Sequence, residues 1–212
     1  MKIAVLGCGT VAQGVFRLLV KNETMIRERV GEPITVSKVL ARHPEKAYAL
    51  GFDEDTVVTT FDPILQDPDI SLIVELIGGT NDAFTYVSRA LTAGKHVVTA
   101  NKDLLALHPE LIDLADAHHV CLMYEASVAG GIPLLGPIER TLAANRIQSI
   151  YGILNGTTNY ILGQMTNAGK TFAEALAEAQ EKGYAEKNPA ADIEGHDACR
   201  KICILSTLAF GK

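Results

Sequence analysis

Apolar residues fall in two rhythms along this 212-residue chain. Short continuous runs of strand length alternate with stretches whose apolar positions recur every three or four residues, the periods of buried strands and of helices. Ile3 to Leu6 is the first run and breaks at Gly7; Val11, Val15, Leu18 and Leu19 follow at helical spacing, and that helix can extend through Lys21 to Arg29. Ile34–Ala41, Val57–Thr60, Leu72–Ile77, His96–Ala100 and Val120–Ala126 read as further strands. Between them, Asp62-Pro63 can open a short helix, Asn81 can cap and Gly94 can close a longer one, and Pro109–His118 is helical. The alternation holds to about residue 126, which predicts an α/β fold with a doubly wound parallel sheet.

Beyond that point the texture changes. Ser127–Pro133 is a Gly-rich loop, Leu134–Ala144 an apolar helix, and Arg146–Leu154 a strand that runs into the cap-rich turn Asn155–Asn159. Thr171 with Glu174 three residues on is a capping box opening a helix to Lys182. Gly183–Pro189 is a loop, and Asp192–Phe210 reads as one long helix. A second, smaller α+β domain is therefore expected, with domains at 1–130 and 131–212.

The first strand-to-helix junction carries the chemistry. Gly7, Gly9 and Ala12 fit G-x-G-x-x-G/A between strand and helix, the Rossmann-type dinucleotide fingerprint. Gly7 permits the tight turn, Gly9 lets a pyrophosphate approach the backbone, and Ala12 lets helix and strand pack closely. The helix N-terminus adds unpaired N–H groups and a positive dipole end. Residues 1–130 thus read as a dinucleotide-binding domain. An acid at the end of the second strand would hold the ribose 2′-OH of NAD. Here that strand ends in Ala41-Arg42-His43-Pro44, and Arg42 can instead take a 2′-phosphate, so NADP is the expected cofactor, with NAD as the alternative.

Composition narrows the classes. A net charge of −6 without a basic cluster argues against a nucleic-acid surface. The first apolar run is too short for a signal peptide, and no run reaches membrane-span length; a cytoplasmic protein is expected. Four cysteines in a chain of this size do not suggest a disulfide framework, and Cys199 and Cys203 read as core packing. The six histidines lack zinc spacing.

Four segments together resemble homoserine dehydrogenase: the G-x-G-x-V turn at Gly7, Thr-Ala-Asn-Lys at 99–102, Asn-Gly-Thr-Thr-Asn-Tyr-Ile-Leu at 155–162, and Gly-Tyr-Ala-Glu-x-x-Pro through Asp-Ala-x-Arg-Lys at 183–201. Their order and spacing cover the whole chain, with Ala12 where the family's glycine would stand. Family members continue well past residue 212, so the resemblance implies the family's N-terminal part with an incomplete catalytic domain.

The resemblance implies NAD(P)H-dependent interconversion of L-aspartate 4-semialdehyde and L-homoserine, on the route to threonine, methionine and isoleucine. Lys201 falls on the family's proton donor and Asp197 on a substrate-binding acid; by spacing alone, the two form an i,i+4 ion pair on one helix face. Glu186 and Asp192 fall on acids around the substrate's polar groups, and Lys102 faces cofactor and substrate and shares the catalytic role. Thr10, Val11, Thr80 and Gly183 would contact the cofactor. Glu125 with the carbonyls of Val128, Gly130 and Ile132 resembles the family's monovalent cation site, read as sodium. The complete protein is expected to be a homodimer acting on a small molecule. The competing readings are a non-catalytic NADP-binding fragment and another semialdehyde or amino-acid reductase of the same fold.

Overall fold

The computed structural model describes residues 1–211. The chain divides into two compact units, Met1–Ser127 and Val128–Lys212. In the first, six strands form one sheet: β1 (Lys2–Leu6), β2 (Thr35–Leu40), β3 (Val57–Val58), β4 (Ile70–Glu75), β5 (His96–Thr99) and β6 (Leu122–Met123). Their order is β3-β2-β1-β4-β5-β6, and every pairing is parallel. Strand order reverses at β1, so the carboxyl ends of β1, β2 and β4 border the crevice where a doubly wound sheet takes its ligand. The central strands β1 and β4 are continuously apolar over Ile3–Leu6 and Leu72–Val74, as strands covered on both faces are. Ile3 and Val5 pack with Ala12 and Val74 on one side, while Ala4, Leu6 and Ile73 pack with Val87, Leu91 and Leu104 on the other.

Seven helices complete this unit: α1 (Thr10–Lys21), α2 (Glu23–Val30), α3 (Pro44–Tyr48), α4 (Asp62–Gln66), α5 (Asn81–Thr92), α6 (Lys102–Leu107) and α7 (Glu110–Ala117). The long first helix breaks at Asn22, which ends α1 and precedes α2 with φ −110° and ψ 19°; asparagine favours such caps over helix interiors. The inward face of α1 is Ala12, Phe16 and Leu19, while Val11 and Leu18 are exposed. Thr80 rather than Asn81 stands at the N-cap of α5, and Gly94, with φ +76°, follows its end. The last strand shrinks to two residues, followed by a 3-10 turn at Glu125–Ser127.

The second unit is built on α8 (Gly156–Ala168), α9 (Phe172–Glu181), α10 (Ala190–Ile193) and α11 (His196–Phe210). Ile161, Ala175, Ala179 and Ala185 form its buried apolar cluster, and the Thr171–Glu174 capping box opens α9 with both reciprocal bonds present. The expected single helix over 192–210 is two, parted at Gly195 with φ +80°. The apolar stretch at Leu134 is helical only over 135–141, ending in a π-type turn, Pro137–Thr141; Pro137 falls in its first turn, where a missing N–H is tolerated. Arg146–Leu154 is not a strand: no described residue there pairs in a sheet, and Tyr151 and Ile153 are 93% and 74% exposed. A strand needs a neighbour for its N–H and C=O groups, and strand-forming residue types alone do not supply one. Cys199 and Cys203 are exposed rather than packed in a core.

Candidate functional site

The glycine turn assigns different jobs to its two glycines. Gly7 adopts φ +107°, and a Cβ there would sit 2.8 Å from the carbonyl oxygen of Leu76, so only glycine fits between β1 and β4. Nothing lies within 4 Å of the place a Cβ on Gly9 would occupy; the space before it is open toward the crevice. Behind the turn, Ala12 is fully buried against Ile3, Val5 and Val74. Thr10 and Val11 begin α1, whose first turn has no side-chain cap, leaving N–H donors for an anion.

Two cavities flank this turn. One of about 350 Å³ is lined by Gly7, Gly9, Arg42, Lys46, Asp82 and Tyr86, among others. The other, about 220 Å³, is lined by Val11, Glu75, Gly78, Gly79, Asn101 and Lys102. Open backbone, a free helix terminus and a cavity on each side suit a pyrophosphate with a nucleoside at each end. Arg42 lies two residues past β2, and its Nη2 donates to Oδ2 of Asp82 at 3.0 Å across the rim. Cys8 is half-buried in the turn; burial pushes its thiol upward, and the charge of Lys46 opposes that shift.

Beneath the second cavity, Glu75 is fully buried at the end of β4. Its Oε1 accepts from Ile77 N at 2.9 Å and Gly78 N at 3.4 Å, and its Oε2 accepts from the Thr99 hydroxyl at 2.5 Å. Thr99 Oγ1 in turn accepts from Asn101 N at 3.0 Å, while Asn101 donates through Nδ2 to Gly79 O at 2.7 Å. One carboxylate thereby fixes the turns after β4 and β5. Lys102, the first residue of α6, and Thr80, which precedes α5, ride on those turns.

In the second unit a polar network forms around Asn155. Its Nδ2 donates to Asp192 Oδ1 at 2.7 Å and Asp197 Oδ2 at 2.9 Å. Lys201 Nζ donates to the same Asp197 oxygen at 2.7 Å and to Leu154 O at 2.9 Å. Asn155 Oδ1 accepts from Thr158 N at 2.8 Å, capping α8. The segment before α8, α10 and the first turns of α11 are tied together through Asn155 and Lys201.

The family model described as homoserine dehydrogenase, NAD binding domain, matches residues 7–125, and the one described as homoserine dehydrogenase matches 133–212. The chain belongs to the homoserine dehydrogenase family. It is 46% identical to the homoserine dehydrogenase of Lactococcus lactis, covering 100% of this chain and 50% of that protein. A crystal structure of a homoserine dehydrogenase from Thiobacillus denitrificans superposes with a TM-score of 0.90 at 44% identity, over 100% of this chain and 49% of that one. The S. aureus homoserine dehydrogenase structure at pH 7.5 gives 0.86 at 40%, over 100% and 50%. The chain spans about half the length of the curated relatives it matches.

Within the family's NAD-binding domain, Gly7, Gly9 and Arg42 line one cavity and Val11 and Lys102 the other; Thr10 opens α1, Ala12 is buried behind the turn and Thr80 precedes α5, so these three line neither cavity. Asp192, Asp197 and Lys201 are joined in the second unit. Glu186 is exposed and lies outside that network, and Gly183 forms a left-handed turn (φ +75°) after α9. Glu125 begins the 3-10 turn, Val128 is buried, and Ile132 is exposed. Between them Ala129 and Gly130 have φ +63° and +58°. Sequence reading missed the hub roles of Asn155 and Glu75. For Glu75 the signal was an acid inside the apolar run Leu72–Ile77, where a strand tolerates charge only if paired. For Asn155 the cap-rich turn was visible, but its distant partners 37 and 42 residues away were not.

Proposed function

We propose that this chain holds the cofactor and part of the substrate in an enzyme that interconverts L-aspartate 4-semialdehyde and L-homoserine, with NADP preferred over NAD. The observation that carries the reading is the state of Lys201. Two of its three N–H groups are engaged, by Asp197 and the Leu154 carbonyl, in a side chain only 19% exposed. The third is left for a substrate oxygen. When bound, the nicotinamide supplies hydride to the aldehyde carbon. The ammonium of Lys201 then stabilises the alkoxide and delivers its proton there. Asp197 orients that ammonium, and Asn155 couples it to Asp192. Asp192, Asp197 and Glu186 offer carboxylates to the substrate's own ammonium, and Lys102 faces cofactor and substrate and shares the catalytic role.

Residues 1–130 form the dinucleotide-binding domain in this reading and 131–212 the substrate part. The pyrophosphate is held by Gly7, Gly9, Thr10, Val11 and Ala12, with Thr80, Lys102 and Gly183 as further cofactor contacts. Arg42, in place of an acid after β2, takes the 2′-phosphate. A monovalent cation, sodium, is held by the Glu125 carboxylate and the carbonyls of Val128, Gly130 and Ile132. One carboxylate suits a singly charged ion better than a divalent one. The left-handed Ala129, strained for a residue with a Cβ, is the kind of outlier that binding loops retain. The complete protein is proposed to be a cytoplasmic homodimer; the net charge of −6 speaks against a nucleic-acid partner.

The test is homoserine-driven reduction of NADP and NAD by the purified chain, alongside titration of both cofactors. Turnover with NADP ahead of NAD supports the proposal. Binding of NADP without turnover assigns the 212-residue chain to a nucleotide-binding module. Absence of both binding and turnover overturns it.

A further inference from the structure

We propose that Asp82 is a specificity-determining residue for the cofactor: it supplies, from α5, the ribose-facing acid that β2 lacks. The proposal rests on the reading of Arg42 as the residue that takes a 2′-phosphate. Asp82 and Arg42 come from opposite sides of β1, because β2 and β4 are its two neighbours in the sheet. Arg42 follows β2, and Asp82 stands in the first turn of α5, which follows β4. Their side chains meet at 3.0 Å on the rim of the cavity that also exposes Gly9, His43 and Lys46. The acid expected at the end of β2 is thus present in space, forty residues further along the chain.

Its charge acts with opposite sign on the two cofactors. A neutral ribose carries two hydroxyls, and a carboxylate accepts hydrogen bonds from them. A 2′-phosphate brings a charge of about −1.5 to −2 toward the same rim. There it gains from Arg42 and Lys46 but is repelled by Asp82, and it competes with Asp82 for the guanidinium. The side chains of the pair are 82% and 57% exposed. Water-screened pairs of this kind are weak, so either ligand can rearrange it. Arg42 is then held in reserve by Asp82, released for a phosphate and parked when the ribose is bare. A purely structural role, an acid at the N-terminal end of α5, predicts no difference between the cofactors.

The experiment is titration of NADP and NAD into the chain and into its Asp82→Asn and Asp82→Ala variants. The ratio of the two dissociation constants is the readout, since any folding defect weakens both together. Both variants are expected to tighten NADP and weaken NAD, so that Kd(NAD)/Kd(NADP) rises by about fivefold, the upper end for one exposed charge pair. An unchanged or falling ratio overturns the role of Asp82. Arg42→Asp separates the two claims. If it weakens NADP far more than NAD while Asp82→Asn leaves the ratio unchanged, only the Asp82 assignment falls. If Arg42→Asp also leaves the ratio unchanged, the phosphate reading of Arg42 falls and takes the Asp82 role with it.

Discussion

Lys201 Nζ lies 2.7 Å from Oδ2 of Asp197, one helical turn before it, and the two side chains are 19% and 6% exposed. An i,i+4 pair on a solvated helix face contributes only about 0.3–0.5 kcal/mol. This pair is largely withdrawn from water and shares its acceptor oxygen with Asn155, which makes it part of a fixed polar cluster rather than a surface ornament.

Asn155→Ala is expected to destabilise the chain by about 1–3 kcal/mol, since it removes a donor from buried Asp197 and the cap of α8 together. Urea unfolding of the two proteins measures it. A change below about 0.5 kcal/mol, the range of ordinary surface substitutions, would mean that the cluster does not depend on its hub.

The two glycines of the turn should separate stability from binding. Gly7→Ala meets the Leu76 carbonyl at 2.8 Å in a conformation with φ +107°, so it should lower the unfolding midpoint, with a cost of about 1–3 kcal/mol. Gly9→Ala meets no protein atom and should leave the midpoint nearly unchanged while weakening NADP, because its methyl group enters the pyrophosphate's place. Equal effects of both variants on stability would contradict this division.

Glu178 supplies a pH-dependent contribution in the second unit. Hydrogen bonds from Lys170 first, then Lys182, hold its carboxyl down at about 2, against 4.5 ordinarily. A depressed acid stabilises the fold fully above its unfolded value and loses that effect as pH falls through the folded one. The stability difference between the wild type and Glu178→Gln should therefore be constant near neutrality. It should shrink as pH falls from about 4.5 to about 2. Denaturation midpoints over that range measure it, and a difference that grows on acidification would refute the assignment.

The parallel sheet was legible because its central strands β1 and β4 are short apolar runs closed by turns, and Gly7, Gly9 and Ala12 mark the junction that such a sheet uses for ligands. The second unit was less so. Arg146–Leu154 is rich in β-branched and aromatic residues (Ile147, Ile150, Tyr151, Ile153), yet pairing depends on a neighbour that the segment itself does not contain. Cys199 and Cys203 share a helical face whose burial depends on what packs there, and among the described residues they stay exposed. At the site, Asp197 and Lys201 were visible from spacing and resemblance. Asn155 and Glu75 act through partners far away in sequence, and no local rule reveals such bonds.

The most direct test of the central claim, that Lys201 protonates the substrate oxygen, is kcat for homoserine turnover by Lys201→Ala in the full-length enzyme, with the Kd for NADP measured on the same protein. The account predicts that kcat falls by about 10²- to 10⁴-fold while NADP binds nearly as before. Near-normal turnover by Lys201→Ala would contradict it and pass the proton-donor role to Lys102.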